Sequence, residues 1–210
     1  MTGQILIYVL LAVLGYLIGS ISMSIILTRY IYKDDVRDHG SGNAGATNVA
    51  RVFGWWPGIL TFLCDFAKCV LAFWFGKKLG GYAGGAWGAE FGSALAEITC
   101  LLGHCFPVYF GFRGGKAVST GACVAFLIDW RLFVIILAVF ILVFLWKRIV
   151  SISSICAAGA MILASPFLAG SRAEAALGIF AGLLVIFMHR DNIRRLKNGT
   201  ESRFKAGSRK

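Results

Sequence analysis

The chain has 210 residues, 58% of them hydrophobic and 15% charged, with a formal net charge of +11. A soluble domain of this size carries about 45–50% apolar and about 25% charged residues, so the composition excludes an ordinary water-soluble fold and points to lipid as the solvent. A bilayer-spanning helix needs about 20 apolar residues, so roughly six or seven spans leave no room for a second, soluble domain.

Seven apolar segments follow one another at roughly 4–28, 55–76, 86–106, 115–130, 131–147, 150–169 and 173–189. The first, about Ile5 to Leu27, is too long for a signal-peptide core and lacks a basic start, so it reads as a retained span. Asp65 and Lys68 sit one helical turn apart in the second segment and read as a structural pair, because charge at such depth is expensive. Glu97, in the third, has no partner that the sequence names. The fourth segment is short, and Asp129-Trp130-Arg131 leaves only a tight turn before the fifth. The expected fold is all-α, a polytopic transmembrane helix bundle of about seven spans. A five-span arrangement with shallow or re-entrant helices fits the same segments. Residues 1–200 form a single integral-membrane domain and 201–210 a basic tail.

Orientation follows from the cations. With the N-terminus outside, sixteen Lys and Arg fall on the inner side against four outside, with Lys68 within a span. The positive-inside bias therefore places the C-terminus in the cytoplasm. Cations placed between and after apolar spans imply anionic lipid heads, anionic substrates and topology, with no nucleic-acid partner. The six cysteines form no CxxC and lie in or beside apolar stretches, which reads as buried free thiols.

Three inner loops combine glycine with cations. In the first, Gly40, Gly42 and Gly45 permit a nest of N–H groups leading into a helix N-terminus, an arrangement that binds anions. Ser41, Asn43, Thr47 and Asn48 add neutral donors, and Arg51 adds a charge suited to phosphate. The pattern is neither a P-loop nor a dinucleotide fingerprint, because no strand precedes it. In the second, His104, Pro107, Gly111, Arg113, Gly114, Gly115 and Lys116 suggest a broken helix at the interface, tolerated only where protein or a cavity satisfies the backbone. The third runs from His189-Arg190-Asp191-Asn192-Ile193-Arg194 through Arg195 to Glu201; within it His189 and Asn192 share a face with Leu196, and Arg190 and Arg194 share the neighbouring one. At a fourth position Ser151 could cap a helix or bond an anion.

Together these stretches resemble the bacterial acyl-phosphate:glycerol-3-phosphate acyltransferase family. The resemblance is carried by Gly40 to Asn48 with Arg51, Gly103-His104 with Pro107, Gly111 to Lys116, Trp146-Lys147-Arg148 with Ser151, and His189-Arg190 with Asn192, in order and over nearly the whole chain. Asp191 stands where similar sequences lead us to expect Glu. The resemblance implies a multi-pass enzyme of the bacterial inner membrane with its site on the cytoplasmic face. Such an enzyme acylates glycerol 3-phosphate from acyl phosphate in phospholipid synthesis, with no cofactor or metal and no need for acyl carrier protein or CoA. Its expected catalytic residues are Arg51, His104, Lys116 and His189. Substrate binding is expected from Ser41, Gly42, Asn43, Gly45, Thr47, Asn48, Gly114, Gly115, Ser151, Arg190, Asn192 and Arg194.

Acyl phosphate is a mixed anhydride whose leaving group needs little acid assistance. The tasks left to the protein are to place a hydroxyl against the acyl carbon and to neutralise two phosphates. His104, His189 and a substrate phosphate oxygen are the candidate proton acceptors, and the phosphate is favoured because no carboxylate is evidently placed to orient either imidazole. The acyl chain is expected in a groove between spans. A transporter or channel for a phosphate-bearing metabolite would use the same loops, as would a noncatalytic lipid-binding scaffold. A transporter would often show inverted repeats or helices broken at midplane, and no convincing repeat is present.

Overall fold

The computed structural model describes residues 2–204, and among them every regular element is helical. Helices α1 (Thr2–Ser20) and α2 (Met23–Ile31) form one apolar rod broken at Ile21 and Ser22. A short α3 (Ala46–Phe53) precedes α4 (Trp55–Cys105), which consists of two arms folded at Gly84 and Gly85; Gly85 has φ +63°. The chain continues through α5 (Val118–Ile128), α6 (Trp130–Lys147), α7 (Val150–Leu168), α8 (Arg172–Met188) and α9 (Arg190–Lys197).

All seven apolar segments become helix, but they differ in reach. Gly3–Ile31, Trp55–Gly85, Trp87–Phe110, Trp130–Lys147 and Val150–Leu168 are long and apolar enough to cross a membrane, and α8 with α9, bent by 52°, adds a sixth if the bent pair is counted as one span. Helix α5 has 11 residues; at 1.5 Å per residue that is about 16 Å, about half the hydrocarbon core. It loses its expected first turn because Ala117, at φ 58°, caps it in the left-handed region. The second segment is longer than its apolar run. Lys77 and Lys78, expected in an outer loop, lie on helical backbone with their ammonium groups over the rings of Phe73 and Trp74.

Small residues set the packing. Gln4 bonds the Ala83 carbonyl near the fold of α4, and Tyr16 bonds the Phe106 carbonyl beyond its far end, so α1 runs parallel to the second arm. A Cβ at Gly15 or Gly19 would run into the backbone of Ala96 or Cys100, and the two arms meet in the same way at Gly76 with Gly92 and Gly80 with Gly88. In lipid this close approach takes over from the hydrophobic effect as the force between helices. Helix α6 buries only Leu132 and Ile136 and turns Val134, Leu142 and Leu145 outward. A surface of that kind suits acyl chains rather than water.

Within the bundle, Asp65 pairs with Lys68 at 2.8 Å as the spacing suggested. All six cysteines are free thiols. Glu97 is buried, with Oε1 unpartnered among the described residues. The loops after α2, α4, α6 and α8 gather at one end of the bundle. Only the part of the basic tail up to Phe204 is described, and Lys205, Arg209 and Lys210 lie outside the described residues.

Candidate active site

The first loop is held by its own side chains. Arg29 and Arg37 both clamp Asp35, and Arg37 also reaches the Phe110 carbonyl at 2.7 Å, which ties the first loop to the second. Burial alone would raise the Asp35 carboxyl, but hydrogen bonds from Arg37 and Arg29 hold it well below the ordinary carboxylate range. Gly40 and Gly42 take positive φ, and the turn they make wraps around the Asn48 amide. Asn48 accepts from the Ser41 N–H and donates to the Val36 and His39 carbonyls, so it organises the loop rather than offering donors to a ligand. Gly45 caps α3, and Ala46 and Thr47 begin it at the edge of the cavity. The first amides of a helix have no intrahelical partner and favour an anion there.

The second loop folds back onto the end of α4. Gly114 and Gly115 donate their N–H groups to the Cys105 and His104 carbonyls, which fixes the start of Lys116. Neither glycine can carry a side chain, since a Cβ at Gly114 would strike the His104 carbonyl and one at Gly115 would enter the His104 imidazole. These residues shape the site while their amides are spent on the protein. The buried His104 is packed on one side by this loop. On the other, its Nδ1 meets Lys68 Nζ at 3.0 Å and lies 3.5 Å from Asp65 Oδ1. A carboxylate does therefore stand beside His104, with a lysine closer still.

The third loop turns twice. His189 breaks α8 from α9 and its Nδ1 lies 2.7 Å from the Val185 carbonyl. A carbonyl only accepts, so Nδ1 carries the proton and Nε2 keeps its lone pair. After α9, Gly199 at φ +69° and the bonds from Gly199 and Thr200 N–H to the Leu196 and Arg195 carbonyls make a Schellman turn. That turn sends Glu201 back toward the bundle. One Glu201 oxygen accepts from Ser151 at 2.7 Å and Asn192 at 2.6 Å, and the other accepts from Arg195 at 2.6 Å. Lys116 in turn bonds the Asn192 carbonyl oxygen. Ser151 thus sits inside α7, one residue past its start, and grips an anion instead of capping the helix. Phe204 closes this segment against Trp55 and Phe144, with the Arg51 guanidinium 5.9 Å from its ring centre.

These pieces enclose a cavity of about 490 Å³. Ser41, Asn43, Gly45, Thr47, Asn48, Arg51, His104, Lys116, Ser151, His189 and Asn192 all line it, which brings four separate stretches of chain to one place. Gly42, Gly114 and Gly115 stand behind that wall. Arg190 and Arg194 point away from it, the first over the Phe187 ring and the second toward Asp191. Arg195 and Glu201 take the places that sequence reasoning gave to other residues. Arg195 lies three residues beyond Asn192 and so continues the His189–Asn192 stripe, while Glu201 was signalled by the Asn198-Gly199 helix stop that reverses the chain.

The electrostatics are those of a half-dry basic pocket. Burial, reinforced by the charge of Arg195, brings the Lys116 ammonium down to about 8. Burial likewise lowers Arg51, with Glu201 opposing. For Glu201 burial alone would raise the carboxyl, but hydrogen bonds from Ser151, Asn192 and Arg195 hold it below its ordinary value. A second, apolar cavity of about 160 Å³ shares Phe62, Val118, Phe140 and Ser154 with the first and runs between α5, α6, α7 and α8. No group of three His, Cys, Asp or Glu side chains among the described residues could hold a metal ion.

Comparison with known proteins gives a consistent result. Residues 9–199 match the family described as glycerol-3-phosphate acyltransferase. A glycerol-3-phosphate acyltransferase of Syntrophotalea carbinolica is 41% identical over 193 residues, covering 91% of this chain and 95% of that protein. One of Syntrophomonas wolfei is 37% identical over 193 residues, with 92% and 95% covered. Among solved structures, the glycerol 3-phosphate form of PlsY, an integral membrane glycerol 3-phosphate acyltransferase, superposes with TM-score 0.83 at 34% identity over 94% of this chain and 96% of that one. Its lysophosphatidic acid form gives TM-score 0.78 at the same identity, with 94% and 95% covered.

Proposed function

The chain belongs to the glycerol-3-phosphate acyltransferase family, and on that premise we propose that it moves a fatty acyl group from acyl phosphate to the 1-hydroxyl of glycerol 3-phosphate. The products are 1-acyl-glycerol 3-phosphate (lysophosphatidate) and inorganic phosphate, the first acylation of bacterial phospholipid synthesis. The observation that carries the reading is a basic cavity that opens into an apolar groove. Its donors already grip an anion in Glu201, and Phe62, Val118, Phe140 and Ser154 belong to both spaces. An acyl phosphate has this division into charged head and hydrocarbon chain.

In this scheme Ser41, Asn43 and the first amides of α3 hold the acyl-phosphate head, while Arg51 and Lys116, the latter bonded to Asn192, supply positive charge to both phosphates. Ser151, Asn192 and His189 orient glycerol 3-phosphate and leave the proton of its 1-hydroxyl directed at the acyl-phosphate oxygens. The hydroxyl oxygen bonds to the acyl carbon as the bond to the phosphate oxygen breaks. The departing phosphate carries the electron pair and takes the hydroxyl proton, so the exchange balances without another acid or base. Proximity and fixed donors then supply the rate. We place the site on the cytoplasmic side of the bacterial inner membrane, because the cavity's loops carry the cation excess.

The test is purified protein in detergent, given glycerol 3-phosphate with acyl phosphate, acyl-CoA or acyl carrier protein thioester in separate reactions. Equal amounts of phosphate and lysophosphatidate from acyl phosphate alone support the reading. Product only from a thioester donor overturns the donor assignment. Phosphate movement that requires sealed vesicles would reveal a transporter.

A further inference from the structure

Lys68 is buried in the first arm of α4, and its three ammonium protons face three acceptors. They are Asp65 Oδ1 at 2.8 Å, the Ile21 carbonyl at 2.9 Å and His104 Nδ1 at 3.0 Å. The Ile21 carbonyl lies in the break between α1 and α2, where the backbone needs such a partner inside a membrane. An ammonium only donates, so Nδ1 of His104 must accept. The proton of a neutral imidazole then sits on Nε2. That nitrogen has no hydrogen-bond partner among the described residues; it lies against Gly115, and His104 lines the anion cavity beside Lys116.

We infer that Lys68 is a positioning residue that locks His104 in the Nε2–H tautomer, so that His104 donates a hydrogen bond to a phosphoryl oxygen of the bound substrate and takes no proton from it. Asp65 anchors Lys68 and waits at 3.5 Å from the same Nδ1. Without Lys68 that carboxylate is the nearest partner of Nδ1. It would draw the proton there and leave a lone pair facing a phosphate, which repels it. The two cavity histidines therefore stand in opposite states: Nε2 of His189 accepts and Nε2 of His104 donates. The substrate-facing part of this inference rests on the acyltransferase reading, whereas the tautomer does not.

The chain has three histidines, so ¹⁵N-histidine labelling in detergent resolves each ring, with His39→Gln and His189→Gln variants for assignment. The expected result is a protonated Nε2 on His104 in the parent protein and a protonated Nδ1 in Lys68→Met. The same variant should lose about 10²-fold in kcat, the scale of one lost donor in a reacting site. Asp65→Asn combined with Lys68→Met offers Nδ1 an amide donor again, and should regain roughly tenfold, the worth of one hydrogen bond. A protonated Nδ1 in the parent protein overturns the inference, whether or not any variant folds. So does a Lys68→Met protein whose His104 keeps Nε2–H, or a double variant no more active than the single one. Failure of the parent protein to transfer acyl groups from any donor would instead overturn the functional reading while leaving the tautomer result standing.

Discussion

Lys116 offers the sharpest quantitative test, because its charge is only just held at neutral pH. Burial brings its ammonium to about 8, so about nine-tenths is protonated at pH 7 and about one-tenth at pH 9. Glycerol 3-phosphate has its second ionisation near 6, as phosphate monoesters do, and stays a dianion across that range. The sign follows directly: binding that needs the ammonium is full below about 8 and lost above it. Affinity for glycerol 3-phosphate should fall about tenfold between pH 7 and 9, or about 1.4 kcal/mol. In Lys116→Arg the guanidinium stays charged across the whole range, so that decline should vanish even though the changed geometry weakens binding at every pH. The assay is the KM for glycerol 3-phosphate at saturating acyl phosphate, measured across this range. A flat KM in the parent protein, or the same decline in Lys116→Arg, would refute the assignment of Lys116 as the phosphate's counter-charge.

Three further outcomes are expected. Glu201→Gln removes the charge that organises Ser151, Asn192 and Arg195, so thermal unfolding in detergent should show a loss of about 1.5–3 kcal/mol together with a raised KM. His104→Gln keeps an N–H donor and should retain most of the turnover, whereas His104→Ala should lose about 10²-fold in kcat. Equal inactivity of the two would favour a histidine base. Gly121 faces the apolar groove with only Val185 near its Cβ position, at 3.6 Å. Gly121→Leu should accordingly shift preference toward shorter acyl phosphates without changing the KM for glycerol 3-phosphate, as read in a chain-length series.

Much of this arrangement was legible in the sequence because its signals are local. Apolar runs, positive φ at Gly40 and Gly42, and the i, i+3 spacing of His189 and Asn192 all declare themselves within a few residues. What escaped was non-local. That Asp65 and Lys68 stand beside His104 depends on α4 folding back on itself at Gly84 and Gly85, which brings together residues 36 apart. Asn48 looked like a ligand donor because nothing in its neighbours says that the loop carbonyls will consume its amide. Gly114 and Gly115 read as phosphate-binding, and only the position of the His104 ring shows why they must lack a Cβ. Arg195 and Glu201 were within reach of pattern reasoning, since the former continues a face already drawn and the latter follows a glycine helix stop. The length of α5 was not, because it depends on the left-handed turn at Ala117.

The claim beneath all of this is that three separate loops make one site for phosphate. Equilibrium binding of glycerol 3-phosphate to the detergent-solubilised protein addresses it most directly, with Arg51→Ala, Lys116→Met and Asn192→Ala compared as folded proteins of matched thermal stability. Each of the three should weaken binding by tenfold or more, on the scale of a lost charge-assisted hydrogen bond. Full affinity retained when any one of the loops is altered would mean that the phosphate is held elsewhere.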